Sequence, residues 1–254
     1  MTRVLGVHGV GNFLADLPAT DSAAVRAKEW GTALGLPGID MRVAYYADLL
    51  NAEIAQGSGL GLLPEPAREM LASWALALGA PDEVTQGPAT AIPRQIVSWV
   101  CRRFNLENRA VEWFIAEFFP EVVGYLRDPD PVRARVAAAL REHRPQVVIA
   151  HSLGSVVTFE TLCAHEDLSV DLLITLGSPL ALPYIHNRLA FTVKRPPRAG
   201  RWLNLADIGD LVAVPRKLGG LFEVDSHHEL TIALFAFHAV ERYLAHTAVR
   251  SIVQ

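Results

Sequence analysis

The sequence is poor in cysteine. Only Cys101 and Cys163 occur among 254 residues, too few for a disulfide framework, so a reduced setting such as the cytoplasm is expected. It has no excess of basic charge: 23 Lys+Arg stand against 27 Asp+Glu, a formal net charge of -4. Nucleic-acid binders usually carry a basic surplus, so nucleic acid is not an expected partner. Long hydrophobic runs are missing as well. A membrane-spanning helix needs about 20 mainly apolar residues, and the richest stretches, Met70 to Ala80 and Leu230 to Ala239, are shorter. Met1 to Gly9 holds one basic residue and a short apolar stretch broken by His8, which does not match a signal peptide. Contact with a membrane surface stays open, through an aromatic segment containing Trp74, Trp99 and Trp113. Metal signatures are absent: His227-His228-Glu229 is a local cluster, but no H-E-x-x-H or C-x-x-C occurs, and no metal or other cofactor is expected. There is no internal repeat or low-complexity tract, and nothing fixes an oligomeric state.

What the chain does have is core material. Hydrophobic residues make up 51% and charged residues 20%, which excludes a disordered chain and leaves one large domain or two small ones. An apolar strand is expected over Arg3 to His8. A helix capped by Asp21 or Ser22 should follow to about Leu34, with Val25, Trp30 and Leu34 as its stripe. Met41 to Tyr46 reads as a second strand. From about Leu49 to Tyr125 the pattern turns helical and aromatic, with prolines at 64, 66, 81, 88, 93 and 120 expected to cut it into short helices. This segment, 49–125, reads as a helical insertion, and a candidate lid, within a single domain spanning 1–254.

The strand–helix rhythm then resumes. Asp130 as N-cap and Pro131 at the first helical position open a helix to about His143, and Gln146 to Ala150 is a continuously apolar strand of the kind buried on both faces. Leu153 to Ala164 reads as a helix, and Leu172 to Leu176, Trp202 to Ala206 and Leu221 to Val224 as strands. Leu230 to His246 reads as mostly helical. The alternation predicts an α/β fold: a mostly parallel sheet of about six strands flanked by helices.

The sharpest chemical signal is Val147-Val148-Ile149-Ala150-His151-Ser152-Leu153-Gly154. An apolar strand runs into Ser152 and a helix starts directly after it. A serine on such a tight strand-to-helix turn has its hydroxyl pushed out above the carboxyl edge of the sheet, and the turn needs small residues at Ala150 and Gly154. The amide of Leu153 is then a helix N-terminal donor for an oxyanion. The blander reading makes Ser152 a helix cap. A second signal is Gly6-Val7-His8-Gly9-Val10-Gly11 at the end of the first strand. Its glycine order is not the G-x-G-x-x-G of a dinucleotide loop, and no clear acidic partner stands at the second strand end. His8 reads as a loop-packing residue.

These motifs resemble the α/β-hydrolase superfamily, in its compact lipase- or esterase-like form with Ala in place of the first Gly of G-x-S-x-G. The likeness covers Arg3 to Tyr46 and about Pro131 to the C-terminus. It implies a serine hydrolase cleaving carboxylic esters with an apolar acyl group, with Ser152 as nucleophile. The His-Gly motif implies the amide of Val10, with Gly11 as fallback, as a second oxyanion donor beside Leu153. The acid falls in the loop after a late strand, on Asp210 in Asp210-Leu211-Val212, with Asp207 as rival. The base follows in the chain, on His238 just before the last helix, with His228 as rival. Leu176-Gly177-Ser178-Pro179 resembles a turn beside the acyl pocket of lipase-like members. The usual first antiparallel strands have no counterpart, and 49–125 precedes the nucleophile rather than following it, as cap domains more often do. A thioesterase, amidase or acyltransferase would use the same triad, and a non-catalytic binding module could keep the fold.

Overall fold

The computed structural model describes residues 1–54, 60–88, 90–232 and 238–254. Among them the chain alternates between strand and helix at both ends of a helical middle. The first part holds β1 (Thr2–Val7), α1 (Ala19–Leu34) and β2 (Ile39–Ala44). The middle holds α2 (Ala47–Ile54), α3 (Glu65–Ala77), α4 (Ile92–Phe104) and α5 (Asn108–Arg127). Then come α6 (Asp130–His143), β3 (Val147–His151), α7 (Leu153–Ala164), β4 (Val170–Leu176) and α8 (Pro183–His186). The chain closes with β5 (Ala199–Asp207), β6 (Ser226–Leu230), α9 (Val240–Ala245) and α10 (Thr247–Val253).

The six strands form one sheet in the order β2-β1-β3-β4-β5-β6, and every neighbouring pair is parallel. Such a sheet must be covered on both faces, which is why its inner strands are apolar at successive positions. Along β3, Val148 and Ala150 face one apolar cluster, while Val147 and Ile149 face the other. The larger cluster is built with α3 to α7. The smaller one is closed by Trp30 and Leu34 of α1, Tyr243 and Leu244 of α9 and Val249 and Val253 of α10.

This topology positions the site. The chain leaves β1 for β2 on one side and returns as β3 on the other. The loops after β1 and β3 therefore lie side by side at the point where the winding reverses, on the carboxyl edge where open α/β sheets take their ligands.

Several sequence expectations need correction. The run Leu221 to Val224 is not a strand. Phe222 instead packs its ring edge against Phe159 and Trp202, and the sixth strand is the polar Ser226–Leu230. Leu230 to His246 is not one helix: Leu230 ends β6, residues 233–237 lie outside the described residues, and α9 begins at Val240. Pro120 does not break its helix but sits inside α5, where Phe118, Phe119, Val122 and Tyr125 are all buried around it. That packing outweighs the roughly 3 kcal/mol a helical proline costs. Neither Asp21 nor Ser22 caps α1, which starts after Pro18, and Val25 is exposed. Asp130 is the first residue of α6 rather than its cap. Trp74 is fully buried, so it cannot serve a membrane surface; Trp113 is exposed. No helix among the described residues is long and apolar enough to cross a membrane.

Candidate active site

Ser152 occupies the turn between β3 and α7 with φ 54 and ψ -130. A non-glycine residue at positive φ costs about 1–3 kcal/mol, so the surroundings must hold it there. They do so with main-chain bonds. The Ser152 amide donates to Leu176 O (3.0 Å), and Ser152 O accepts from the Ser155 amide (2.9 Å) and the Ser155 hydroxyl (2.6 Å). Ser178 contacts the Ser155 hydroxyl at 2.7 Å, which makes it a buttress of the turn. The helix behind the turn runs against β1: a Cβ on Gly154 would fall 2.2 Å from Val7 O, so only glycine fits.

The loop after β1 meets this turn directly. A Cβ on Gly9 would fall 2.5 Å from Ser152 Cβ and 2.9 Å from its Oγ. The loop is fixed from below by His8, which is fully buried and stacked on Tyr46. His8 Nε2 accepts from the Tyr46 amide (3.1 Å), which leaves Nδ1 to donate to Gly9 O (2.7 Å). Burial pulls its pKa down to about 4, so His8 is a neutral structural group. Among the described residues the Val10 amide donates to no main-chain or side-chain acceptor. The Leu153 amide is the first N–H of α7 and has no partner within its helix. The Gly11 amide is already taken: it donates to Glu121 Oε1 at 3.1 Å.

Asp210 and His238 come together beyond the later strands. His238 Nδ1 meets Asp210 Oδ2 at 2.9 Å and Oδ1 at 3.1 Å. Oδ1 also accepts the Val212 amide (2.8 Å), and Oδ2 accepts the Tyr243 hydroxyl (2.6 Å). Burial by itself would raise the Asp210 pKa. The charge of His238 and the hydrogen bonds from His238, Tyr243 and Val212 outweigh it and hold the carboxyl down to about 2. The acid is thus ionised, and the bond fixes the proton of a neutral His238 on Nδ1, leaving Nε2 as the basic atom.

His238 lies at positive φ (69°). Its ring is 4.5 Å from that of His151, the residue before Ser152. Ser152 Oγ and His238 Nε2 are both buried, and neither has a hydrogen-bond partner. No hydrogen bond therefore joins Ser152 Oγ to His238 Nε2 in this structure.

The two rival positions serve other ends. Asp207 Oδ1 accepts the Ile232 amide at 2.8 Å and closes the exit from β6. His228 is exposed on β6, the edge strand, and its Nε2 meets Ser226 Oγ at 3.0 Å. Arg195, in the basic run Lys194-Arg195-Pro196-Pro197-Arg198, binds Asp225 (2.8 Å) and the chain around Gly200.

The middle helices reach this edge of the sheet at three points. Glu121 of α5 binds Gly11, Phe118 of α5 lies 6.5 Å edge-on from His238, and Trp74 Nε1 of α3 donates to Leu211 O at 2.6 Å. Glu121 is the residue sequence reasoning missed. Burial raises its pKa to about 7, the Gly11 amide opposes this, and Glu117 adds to it. A lone acid inside Phe118-Phe119-Pro120-Glu121-Val122-Val123 was the available signal. Among the described residues no group of three or more His, Cys, Asp or Glu side chains could hold a metal ion. No family model matches the chain, and no curated protein or solved structure does either.

Proposed function

We propose that the protein is a serine hydrolase of the α/β-hydrolase type, acting on carboxylic esters with an apolar acyl part. The observation that carries this reading is the pairing of buried Asp210 with half-buried His238, whose Nε2 is unpartnered, beside the strained Ser152 turn. In this reading Ser152 Oγ attacks the ester carbonyl carbon while its proton passes to His238 Nε2. The carbonyl electron pair moves onto oxygen, and the amides of Leu153 and Val10 receive that oxyanion. Collapse breaks the bond to the alkoxy group, which leaves with the proton from His238. Water then adds to the acyl-enzyme, His238 takes its proton, and a second collapse frees the acid and returns the proton to Ser152. Asp210 stays ionised throughout and holds the imidazole in the productive tautomer.

Aromatic side chains of the 49–125 insertion support an apolar acyl group, and the full burial of Ser152 supports a lid role for α5. The same triad would serve a thioester, an amide or an acceptor other than water. A cytoplasmic site of action fits the two free cysteines. The test is turnover of a series of aryl esters of increasing acyl length. A burst of phenolate followed by steady turnover, rising with acyl length and abolished in Ser152→Ala, is expected. Undiminished turnover in Ser152→Ala would remove the reading.

A further inference from the structure

Asp210 Oδ2 carries two donors, and only one of them belongs to the triad. The other is Tyr243, fully buried on α9, five residues past His238. Its hydroxyl lies 2.6 Å from Asp210 Oδ2 and 2.8 Å from the Asp207 amide nitrogen. An amide can only donate, so the phenol oxygen accepts there and its proton points at the carboxylate. The orientation is thereby fixed by the end of β5, the strand from which the Asp210 loop departs.

Resting on the serine-hydrolase reading, the geometry points to Tyr243 as a positioning residue of that reaction. Its hydroxyl pins Oδ2 of Asp210 and takes up part of that oxygen's charge, which sets how tightly His238 holds a proton. It touches no reacting atom and acts only through the acid. With two donors on one oxygen, the negative charge is shared between Tyr243 and His238. Without the phenol the charge falls on the imidazole, and the imidazolium is stabilised. The carboxylate also loses the contact that keeps Oδ2 from swinging away from Nδ1. A tyrosine that merely filled the core would need some partner for its hydroxyl, but any carbonyl would do.

Among the described residues, four side chains are recorded around the His238 ring and its carboxylate partner. Asp210 comes from the loop after β5, Phe118 from α5, and His151 from β3, kept neutral by burial and by His238 itself; Tyr243 of α9 reaches the pair through Asp210. Glu121, farther along α5, holds the Gly11 amide and is present in every protein compared.

The experiment follows the rate at which a fluorophosphonate modifies Ser152, from about pH 5 to about pH 9. It compares wild type, Tyr243→Phe, and each of these with 3-fluorotyrosine in place of tyrosine. Tyr243→Phe should move the acid limb up by about half to one pH unit and slow the reaction roughly three- to tenfold below the limb. Fluorination makes the phenol a stronger donor, so it should move the limb down in wild type and leave it still in Tyr243→Phe. Superimposable limbs in folded proteins would overturn the inference while leaving the hydrolase reading intact. If Tyr243→Phe does not fold, the fluorinated wild type decides, and an unmoved limb overturns the inference. No modification of Ser152 in folded wild type, even with detergent added, overturns the hydrolase reading itself, and the inference with it.

Discussion

The site has two halves built on different principles. The Ser152 half is made of main chain: a strained turn, a helix N-terminus and a glycine loop, all held by the parallel sheet at its winding reversal. The Asp210–His238 half is made of side chains on connecting segments, where one carboxylate gathers an imidazole, a phenol and the Val212 amide. The first half tolerates almost no added volume. The second depends on charge and proton placement. The difference teaches that the two halves should fail in different ways when perturbed.

The largest effects should come from removing the groups the proposed reaction uses. Ser152→Ala should lower ester turnover by about 10⁴-fold or more with little change in melting temperature, and His238→Ala should lower turnover as far but also lower the melting temperature, because it strips the buried Asp210 carboxylate of its imidazole partner. Asp210→Asn should cost about as much, because the wrong tautomer of His238 is held. Its stability should also respond to pH. The folded carboxyl is held down to about 2, below its ordinary value. Its contribution is therefore present above about pH 4 and lost as pH falls through the folded value, and Asp210→Asn should melt without that acid-side loss.

Volume should break the other half. A methyl on Gly154 meets Val7 O, so Gly154→Ala should cost roughly 1–3 kcal/mol or more, read as a drop in melting temperature. Gly9→Ala would push on Ser152 itself and should lower turnover by roughly 10²-fold through misplacement.

Glu121 sharpens the comparison, because it joins a chargeable side chain of α5 to the backbone loop. Its folded pKa is raised to about 7, chiefly by burial. The folded state then holds the proton more tightly than the unfolded chain does. That contribution is complete below the ordinary carboxyl range and is lost as pH rises through about 7. Glu121→Gln should flatten the fall of melting temperature between about pH 5 and about pH 8. The smallest effect is expected at the exposed edge: His228→Gln should change stability by less than about 0.5 kcal/mol and leave turnover unaltered.

The same division explains what could be read in advance. The Ser152 turn was legible because sheet burial, turn and helix are local: an apolar run, a serine, a glycine two residues on, then a helix with the bounds Leu153–Ala164. The parallel sheet of six strands was legible for the same reason. Its last strand was not. Ser226-His227-His228-Glu229 is polar because β6 is an edge strand with β5 as its one neighbour. The apolar run at Leu221 to Val224 serves side-chain packing around Phe222 instead. The choice between Asp210 and Asp207, or His238 and His228, could come only from a resemblance. What separates them in space is which carboxylate faces an imidazole, and chain spacing does not carry that. Glu121 and the hydroxyl of Tyr243 were invisible as partners because both act across more than thirty residues of intervening chain.

The most direct measurement is to treat the folded protein with a fluorophosphonate and map the modified residue by peptide mass spectrometry, with Ser152→Ala alongside. The account predicts a single adduct on Ser152 and none in the variant. An adduct elsewhere that persists in Ser152→Ala, or no adduct on the folded protein even when detergent is added to open the insertion, would contradict it and favour a binding module on the same fold.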